Sequence, residues 1–315
     1  MKNRKIKIGL ALGGGGARGI AHVGVLKILE QNSIPIDCIA GTSMGSVIGA
    51  MYAFEPDSKI VERRVREYYS ENGVKGGWLE FLSRDPEEYQ QNFFMEMSYY
   101  FKKRYMALST LAKTGLEDEE TLRGPLVELL PDIDIQDLKI PFSAVAVDLT
   151  EGKDAVFREG ALIDAVYASS SIEGVFPPLE IDGLLFSDGG PIANVPVEAC
   201  RQMGADFVIA VYLPMSAKRE EQFNNGLEII LRADHIAVTK LTEILVNTSD
   251  IAVVPDLDHV HWSAFQKIDE CIQEGEIAAT ILMDEIKKRI KSKELGLKWY
   301  NRMRKGVANL IYLKK

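Results

Sequence analysis

At 315 residues and 46% hydrophobic content, the chain is long enough to bury one large core, and the loose prior of about 150 residues per domain does not force a division. Its net charge of −9 gives no footing for a nucleic-acid partner, and no segment reaches the roughly 18 apolar residues of a membrane span. The three cysteines, Cys38, Cys200 and Cys271, are far apart and odd in number, which excludes a disulfide framework and a metal-ligand spacing; the expectation is a cytoplasmic protein with no metal and no cofactor.

Lys2, Arg4, Lys5 and Lys7 superficially imitate the start of a signal peptide, but the apolar run after them is too short and ends in glycines. A strand is predicted over 6–12, then Gly13-Gly14-Gly15-Gly16-Ala17-Arg18-Gly19, then a helix from about Gly19 to Gln31. Gly14, Gly16 and Gly19 satisfy G-x-G-x-x-G, so a dinucleotide site is one reading. It expects an acid at the far end of the second strand. That strand, 36–40, opens near Asp37 and leads into Gly41-Thr42-Ser43-Met44-Gly45. This is the G-x-S-x-G form of a nucleophile elbow, in which Gly41 and Gly45 let a strand turn sharply into a helix and push the Ser43 hydroxyl outward. The small, apolar residues from Ser46 to Ala53 suit a helix buried against a sheet. Beside such a serine, consecutive glycines can aim backbone N–H groups at the oxyanion of a tetrahedral acyl intermediate. Gly15 is expected to need a positive φ or a close approach, and Arg18 adds either a cation at the site or a structural ion pair.

Residues 57–125 mix aromatics, such as Tyr68-Tyr69, Trp78 and Phe93-Phe94, with charged runs. They read either as an insertion on the sheet edge or as a helical cap over Ser43; the cap is favoured, because acyl chains need an apolar wall that the motifs do not supply. Further strand-like runs fall at 141–148, 184–187, 207–213 and 250–254, alternating with helical stretches. They predict an α/β fold with a mostly parallel central sheet and helices on both faces. The run at 184–187 ends at Asp188-Gly189-Gly190, an acid at a strand tip that could equally be a plain Asp-Gly turn. For the base that Ser43 needs, Asp188 fits by position, and His259 or His261 fits the chain order of an α/β-hydrolase triad. Residues 287–315 hold eleven Lys or Arg against one Glu, a local charge of about +10. Leu295, Trp299, Met303, Val307 and Leu310 recur there at helical spacing. A main domain, 1–286, is thus followed by a basic amphipathic tail that either lies on an anionic membrane surface or docks on the acidic body.

Three of these segments, 13–19, Gly41-Thr42-Ser43-Met44-Gly45-Ser46 and Asp188-Gly189-Gly190, resemble in order and spacing the three signatures of the bacterial patatin-like phospholipase family. The similarity runs on through Ser169-Ser170-Ser171-Ile172-Glu173-Gly174-Val175-Phe176-Pro177-Pro178 and Asn194-Val195-Pro196-Val197, over about 6–255. The resemblance implies a three-layer patatin-like fold and a serine–aspartate dyad without a catalytic histidine. Ser43 would be the nucleophile, Asp188 the base, and Gly14, Gly15 and Gly16 the oxyanion-hole amides, supported by Arg18, Gly41, Gly45, Gly189 and Gly190. The implied substrate is a lipid acyl ester: a phospholipid, a lysophospholipid or a relative of these. Two departures stand out. Glu173 occupies a place where relatives usually carry a proline, and 57–125 matches no family signature. Outside this class, two readings stay open: a regulatory or adaptor protein with incidental turnover, and the dinucleotide-binding oxidoreductase.

Overall fold

The computed structural model describes residues 5–71, 113–214, 223 and 225–312, without the side chains of 70, 71 and 298–312. Eight strands form one sheet. They are β1 (Ile8–Leu12), β2 (Cys38–Thr42), β3 (Phe142–Asp148), β4 (Lys153–Phe157), β5 (Leu179–Ile181), β6 (Leu184–Asp188), β7 (Phe207–Val211) and β8 (Ile251–Val253). The pairs β1–β2, β1–β7, β2–β3 and β7–β8 are parallel, whereas β4 and β6 run antiparallel to β3, and β5 to β6. The sheet is therefore mostly parallel, as the sequence predicts.

Its central strands are buried on both faces, which is why they read as continuous apolar runs rather than as alternating ones. On one face Ile8, Leu10, Leu12, Ile39 and Ile209 join the large core with α1 (Ala21–Gln31), α2 (Met44–Phe54) and α9 (Ile268–Tyr312). On the other, Ala11, Ala40, Val208 and Ala210 pack on α7 (Val197–Gln202). α1 and α9 cross closely at two glycines. A Cβ on Gly24 would lie 2.1 Å from the Ile272 carbonyl oxygen, and one on Gly275 would lie 2.1 Å from that of Ala21. The first helix starts two residues later than predicted, because a 3-10 turn over Gly16–Ile20 leads into α1.

The flanks of the expected cap belong to the body. α3 (Ser58–Glu71) buries Val61 and Val65 in the main core and packs on α1, Tyr69 stacks on Phe265 at 4.7 Å, and α4 (Glu119–Leu129) packs on α5 (Leu162–Ser170). Neither flank walls the Ser43 pocket described below. The centre of the segment, 72–112, lies outside the described residues.

α9 passes residue 287 without a break, and Ile290 and Leu297 pack against the core. The first basic residues of this stretch hold the body: Lys293 Nζ donates to Asp250 Oδ1 at 3.0 Å and Arg289 Nη1 to the Asp250 carbonyl at 2.7 Å. The side chains of Trp299, Met303, Val307 and Leu310, on which the membrane-facing alternative depends, are outside the described set. Among the described residues no helix is long and apolar enough to cross a membrane.

Asp250 ties three elements together, since Arg201 Nη2 and the Val208 amide also donate to its Oδ2, at 2.5 and 2.8 Å. Burial raises its carboxyl pKa, but the Val208 amide, Arg201 and Lys293 outweigh that and hold it below the ordinary value. Asp250→Asn should therefore destabilise the protein by about 1–3 kcal/mol near neutral pH, measured by denaturant melts. A carboxylate with a lowered native pKa stabilises above its unfolded value, and the contribution is lost as pH falls through the native one. The gap between wild type and variant should accordingly close on acidification.

Candidate active site

β3 positions the two principal candidates. One of its edges pairs with β4; the other pairs first with β2, up to Thr42 opposite Val145, and then with β6, beginning at Asp188 opposite Ala146. Two strands of opposite direction thus meet tip to tip at successive residues of a third. Asp188 sits at one tip, and the chain leaves the other into Ser43.

Ser43 has φ 54° and ψ −129°, a strained conformation that costs about 1–3 kcal/mol and persists only where its surroundings enforce it. Here the Ser43 amide donates to the Ser169 carbonyl at 2.9 Å, and Ser46 Oγ donates to the Ser43 carbonyl at 2.7 Å. The flanking glycines are required by space. A Cβ on Gly41 would stand 2.4 Å from the Gly45 carbonyl oxygen, and a Cβ on Gly45 would stand 2.2 Å from that of Leu12. Gly189 does the same for the opposing tip, where a Cβ would lie 2.4 Å from the Val145 oxygen.

Asp188 is buried, and its carboxyl is pushed up to about 7, first by burial and then by the negative charge of Glu173. Hydrogen bonds from the Ser43 hydroxyl and from the Gly190 amide, the latter at 2.8 Å to Oδ1, act in the opposite sense. Such a group is half ionised near neutrality, the condition a general base needs. Glu173 lines the same pocket, and its own pKa is raised, chiefly by burial and also by Asp234.

The glycine loop is held by its backbone. Gly13 and Gly14 amides donate to the carbonyls of Val211 and Asn194, both at 3.0 Å, and Ala17 donates to Trp262 at 2.6 Å. The Gly14 amide is thus engaged, which corrects the expectation of three free donors. Among the described residues, Gly15 and Gly16 are the two of that trio whose amides meet no backbone acceptor. The positive φ also falls on Gly16, at 56°, and not on Gly15, where close approach of Leu213 is the constraint: a Cβ there would lie 2.8 Å from Leu213 Cδ1. Arg18 is buried and donates to the carbonyls of Pro214 and Gly15, at 3.0 and 3.4 Å, so it braces the loop by hydrogen bonding. Burial lowers its pKa, partly offset by the negative charge of Asp258.

His22, a helix residue given no role by the sequence, proves to be part of this brace. Burial pushes its imidazole down to about 4, so it is neutral, and Nε2 donates to the Gly13 carbonyl at 2.7 Å. The triad candidates lie elsewhere: His259 pairs with Glu270, His261 Nδ1 with Ser263 Oγ at 2.7 Å, and neither lines the pocket. Among the described residues, no group of three or more His, Cys, Asp or Glu is arranged to hold a metal.

Ser43, Asp188 and the Gly14–Gly16 loop open into a cavity of about 340 Å³. Its other walls include Glu173, Tyr212, Leu213 and Trp262, and the inner side of α8 (Gly226–Val246), which supplies Asp234, His235, Val238, Thr239 and Thr242. The sequence places His235 in a helical stretch but gives no sign that this helix walls the site, because its inner face is largely polar.

The family profile described as Patatin-like phospholipase matches residues 10–201. The chain is 37% identical over 205 residues to Patatin-like phospholipase domain-containing protein ZK370.4 of Caenorhabditis elegans, which covers 64% of this chain and 13% of that protein. It is 35% identical over 206 residues to Patatin-like phospholipase domain-containing protein 6 of Homo sapiens, covering 65% and 13% respectively. Lysophospholipase NTE1 of Cryptococcus neoformans is 35% identical over 205 residues, covering 65% of this chain and 11% of its own length. The chain thus corresponds to only a small part of these much longer relatives. Among solved structures, VipD from Legionella pneumophila shares the fold, with a TM-score of 0.50 over 90% of this chain and 67% of that one, at 14% identity. Since the profile match begins within β1 and ends within α7, it contains the glycine loop and both strand tips, and the chain belongs to the patatin-like phospholipase family.

Proposed function

We propose that this chain is a serine acyl hydrolase acting on carboxylic esters of phospholipids, lysophospholipids or related lipids. The observation that carries the reading is the pairing, at one edge of β3, of a strained Ser43 with a buried Asp188 whose pKa lies near 7. Ionised Asp188 accepts the hydroxyl proton as Ser43 Oγ attacks the ester carbonyl carbon. The Gly15 and Gly16 amides meet the oxyanion, and preorganised donors of this kind are each worth about 10²–10³-fold in rate. Collapse of the tetrahedral intermediate breaks the ester C–O bond, and protonated Asp188 returns its proton to the departing alcohol. Asp188 then takes a proton from the water that attacks acyl-Ser43; collapse of the second intermediate breaks the acyl–Oγ bond, Asp188 returns the proton to Ser43 Oγ, and the carboxylic acid leaves.

The lipid class is supported by relatives whose names include phospholipase and lysophospholipase. Three free, buried cysteines support a cytoplasmic setting. The competing readings draw less support. A dinucleotide site asks for an acid at the β2 tip, where Thr42 and Ser43 stand, and a purely regulatory role gives no reason to bury an aspartate against the elbow serine.

Hydrolysis of a short-chain p-nitrophenyl ester tests the dyad. Asp188→Asn should lower kcat by about 10²–10⁴-fold, whereas His259→Ala and His261→Ala should leave it within about threefold. For wild type, kcat/KM should rise with pH through a midpoint near 7, because the base must be ionised. A large loss at either histidine, with Asp188→Asn active, would reverse the assignment. The same variant has a thermodynamic signature. An aspartate raised to about 7 in the folded state stabilises least once pH exceeds that value, so Asp188→Asn should gain stability over wild type progressively from about pH 4 to 7 and level off above.

The loop glycines should separate. Gly15→Ala crowds the Leu213 side chain, most closely at its flexible Cδ1, and should cut activity by about tenfold or more with a small change in Tm. Gly16→Ala combines a positive φ with a Cβ 2.2 Å from the Trp262 carbonyl oxygen, so activity and Tm should fall together. Equal behaviour of the two variants would contradict the donor assignment.

A further inference from the structure

α8 is inside out. Its inner face, with Asp234, His235, Val238, Thr239 and Thr242, is largely polar and lines the Ser43 pocket. The opposite stripe, at three- and four-residue spacing, is Ile230, Ala233, Ala237, Leu241 and Ile244, every one of them apolar and exposed. Ile230 and Ile244 are 65% and 64% exposed, and exposed Ile229 and Ile236 flank the band on one side. A surface helix ordinarily turns its apolar stripe toward the core. The helix is nonetheless well formed, since the Asn225 side chain caps it by accepting from the Glu228 amide at 3.0 Å. Its main packing partner among the described elements is α6 (Gly190–Ala193), the turn that follows Asp188.

Contiguous exposed apolar surface of this kind marks a contact site. From Ile230 to Ile244 the stripe is about 21 Å long at 1.5 Å per residue. With a width near 10 Å, it offers a few hundred Å² at most, well short of the roughly 800 Å² per partner of a stable protein interface. The five stripe residues are uncharged, while Lys240 and Glu243 flank them and pair with each other at 2.6 Å, and the same helix forms the pocket wall on its other side. Whatever covers the stripe therefore sits at the rim of the cavity that holds Ser43. We propose that this stripe is the face on which the hydrolase rests on a lipid bilayer, so that a lipid passes from the hydrocarbon into the pocket alongside α8. The proposal rests on the acyl-hydrolase reading for its purpose. The contact itself is measured independently of turnover.

The test uses the full chain with phosphatidylcholine vesicles, in low and in high salt. Wild type should cosediment in both, because apolar contact is not screened by ions. Ile230→Ser/Ile244→Ser should weaken vesicle binding by about tenfold or more, with hydrolysis of vesicle phosphatidylcholine falling in step. Its turnover of the soluble p-nitrophenyl ester and its Tm should stay near wild type. In otherwise unaltered protein, Ile230→Trp should show blue-shifted emission on adding vesicles and quenching by brominated acyl chains. The proposal is overturned if wild type does not bind, if the double variant binds equally well, or if binding disappears in high salt, which would point to the basic residues after 287. Self-association that the double variant abolishes would make a second copy the occupant. Failure of the double variant to fold, together with an unshifted Ile230→Trp, would mean that the chain covers the stripe itself. Absence of ester turnover by wild type would instead fail the acyl-hydrolase reading while leaving the vesicle binding measurable.

Discussion

One edge of β3 is shared by two strands, and the site depends on that sharing. β2 runs out at Thr42 opposite Val145, and β6 arrives from the other direction to place Asp188 opposite Ala146. Side chains at successive positions along a shared edge need no long reach to meet. The register therefore does the positioning, and the glycines exist to let it happen: Gly41 and Gly45 on one tip and Gly189 on the other stand where a Cβ would strike backbone within 2.4 Å. A shift of one residue in either pairing would turn that strand's side chain to the opposite face and part the two.

Burying a carboxylate at such a junction is costly. Desolvation disfavours its charged form, and Asp188 receives two modest compensations, from the Ser43 hydroxyl and the Gly190 amide. The rest of the molecule carries the cost through a large core and a backbone that is braced at the site. A single peptide illustrates the bracing. The Gly13 carbonyl is held by neutral His22, and the Gly14 amide that shares its plane by the Asn194 carbonyl. With that peptide fixed at both ends and Arg18 on the next carbonyl but one, the backbone that carries the Gly15 and Gly16 amides is held in place. The oxyanion donors proposed here are those left over once the loop's own structural demands are met.

Much of this was legible in the residues. β1, β2, β3 and β7 are continuous apolar runs because both their faces are covered, and the elbow announces itself through Gly41 and Gly45. What escaped had weak or inverted local signals. β4 carries Lys153 and Asp154 and is largely exposed, and β5 is three residues long. α8 is legible as a helical stretch around His235 but not as a pocket wall, since it turns mostly polar residues to the pocket and isoleucines to the outside, so amphipathicity points the wrong way. The engagement of the Gly14 amide depends on Asn194, a contact 180 positions away that no local pattern reveals. Glu173, noted only as a departure from the family, turns out to face the cavity and to raise the pKa of Asp188.

The account stands or falls on whether Ser43 is the nucleophile. Treatment with a fluorophosphonate, followed by proteolysis and mass spectrometry of the adduct, addresses that atom directly, because such probes phosphonylate an activated serine and leave ordinary hydroxyls alone. The account predicts a single adduct on the peptide containing Ser43, absent from Ser43→Ala and strongly slowed in Asp188→Asn. An adduct on another serine, or ester turnover that survives in folded Ser43→Ala, would contradict it.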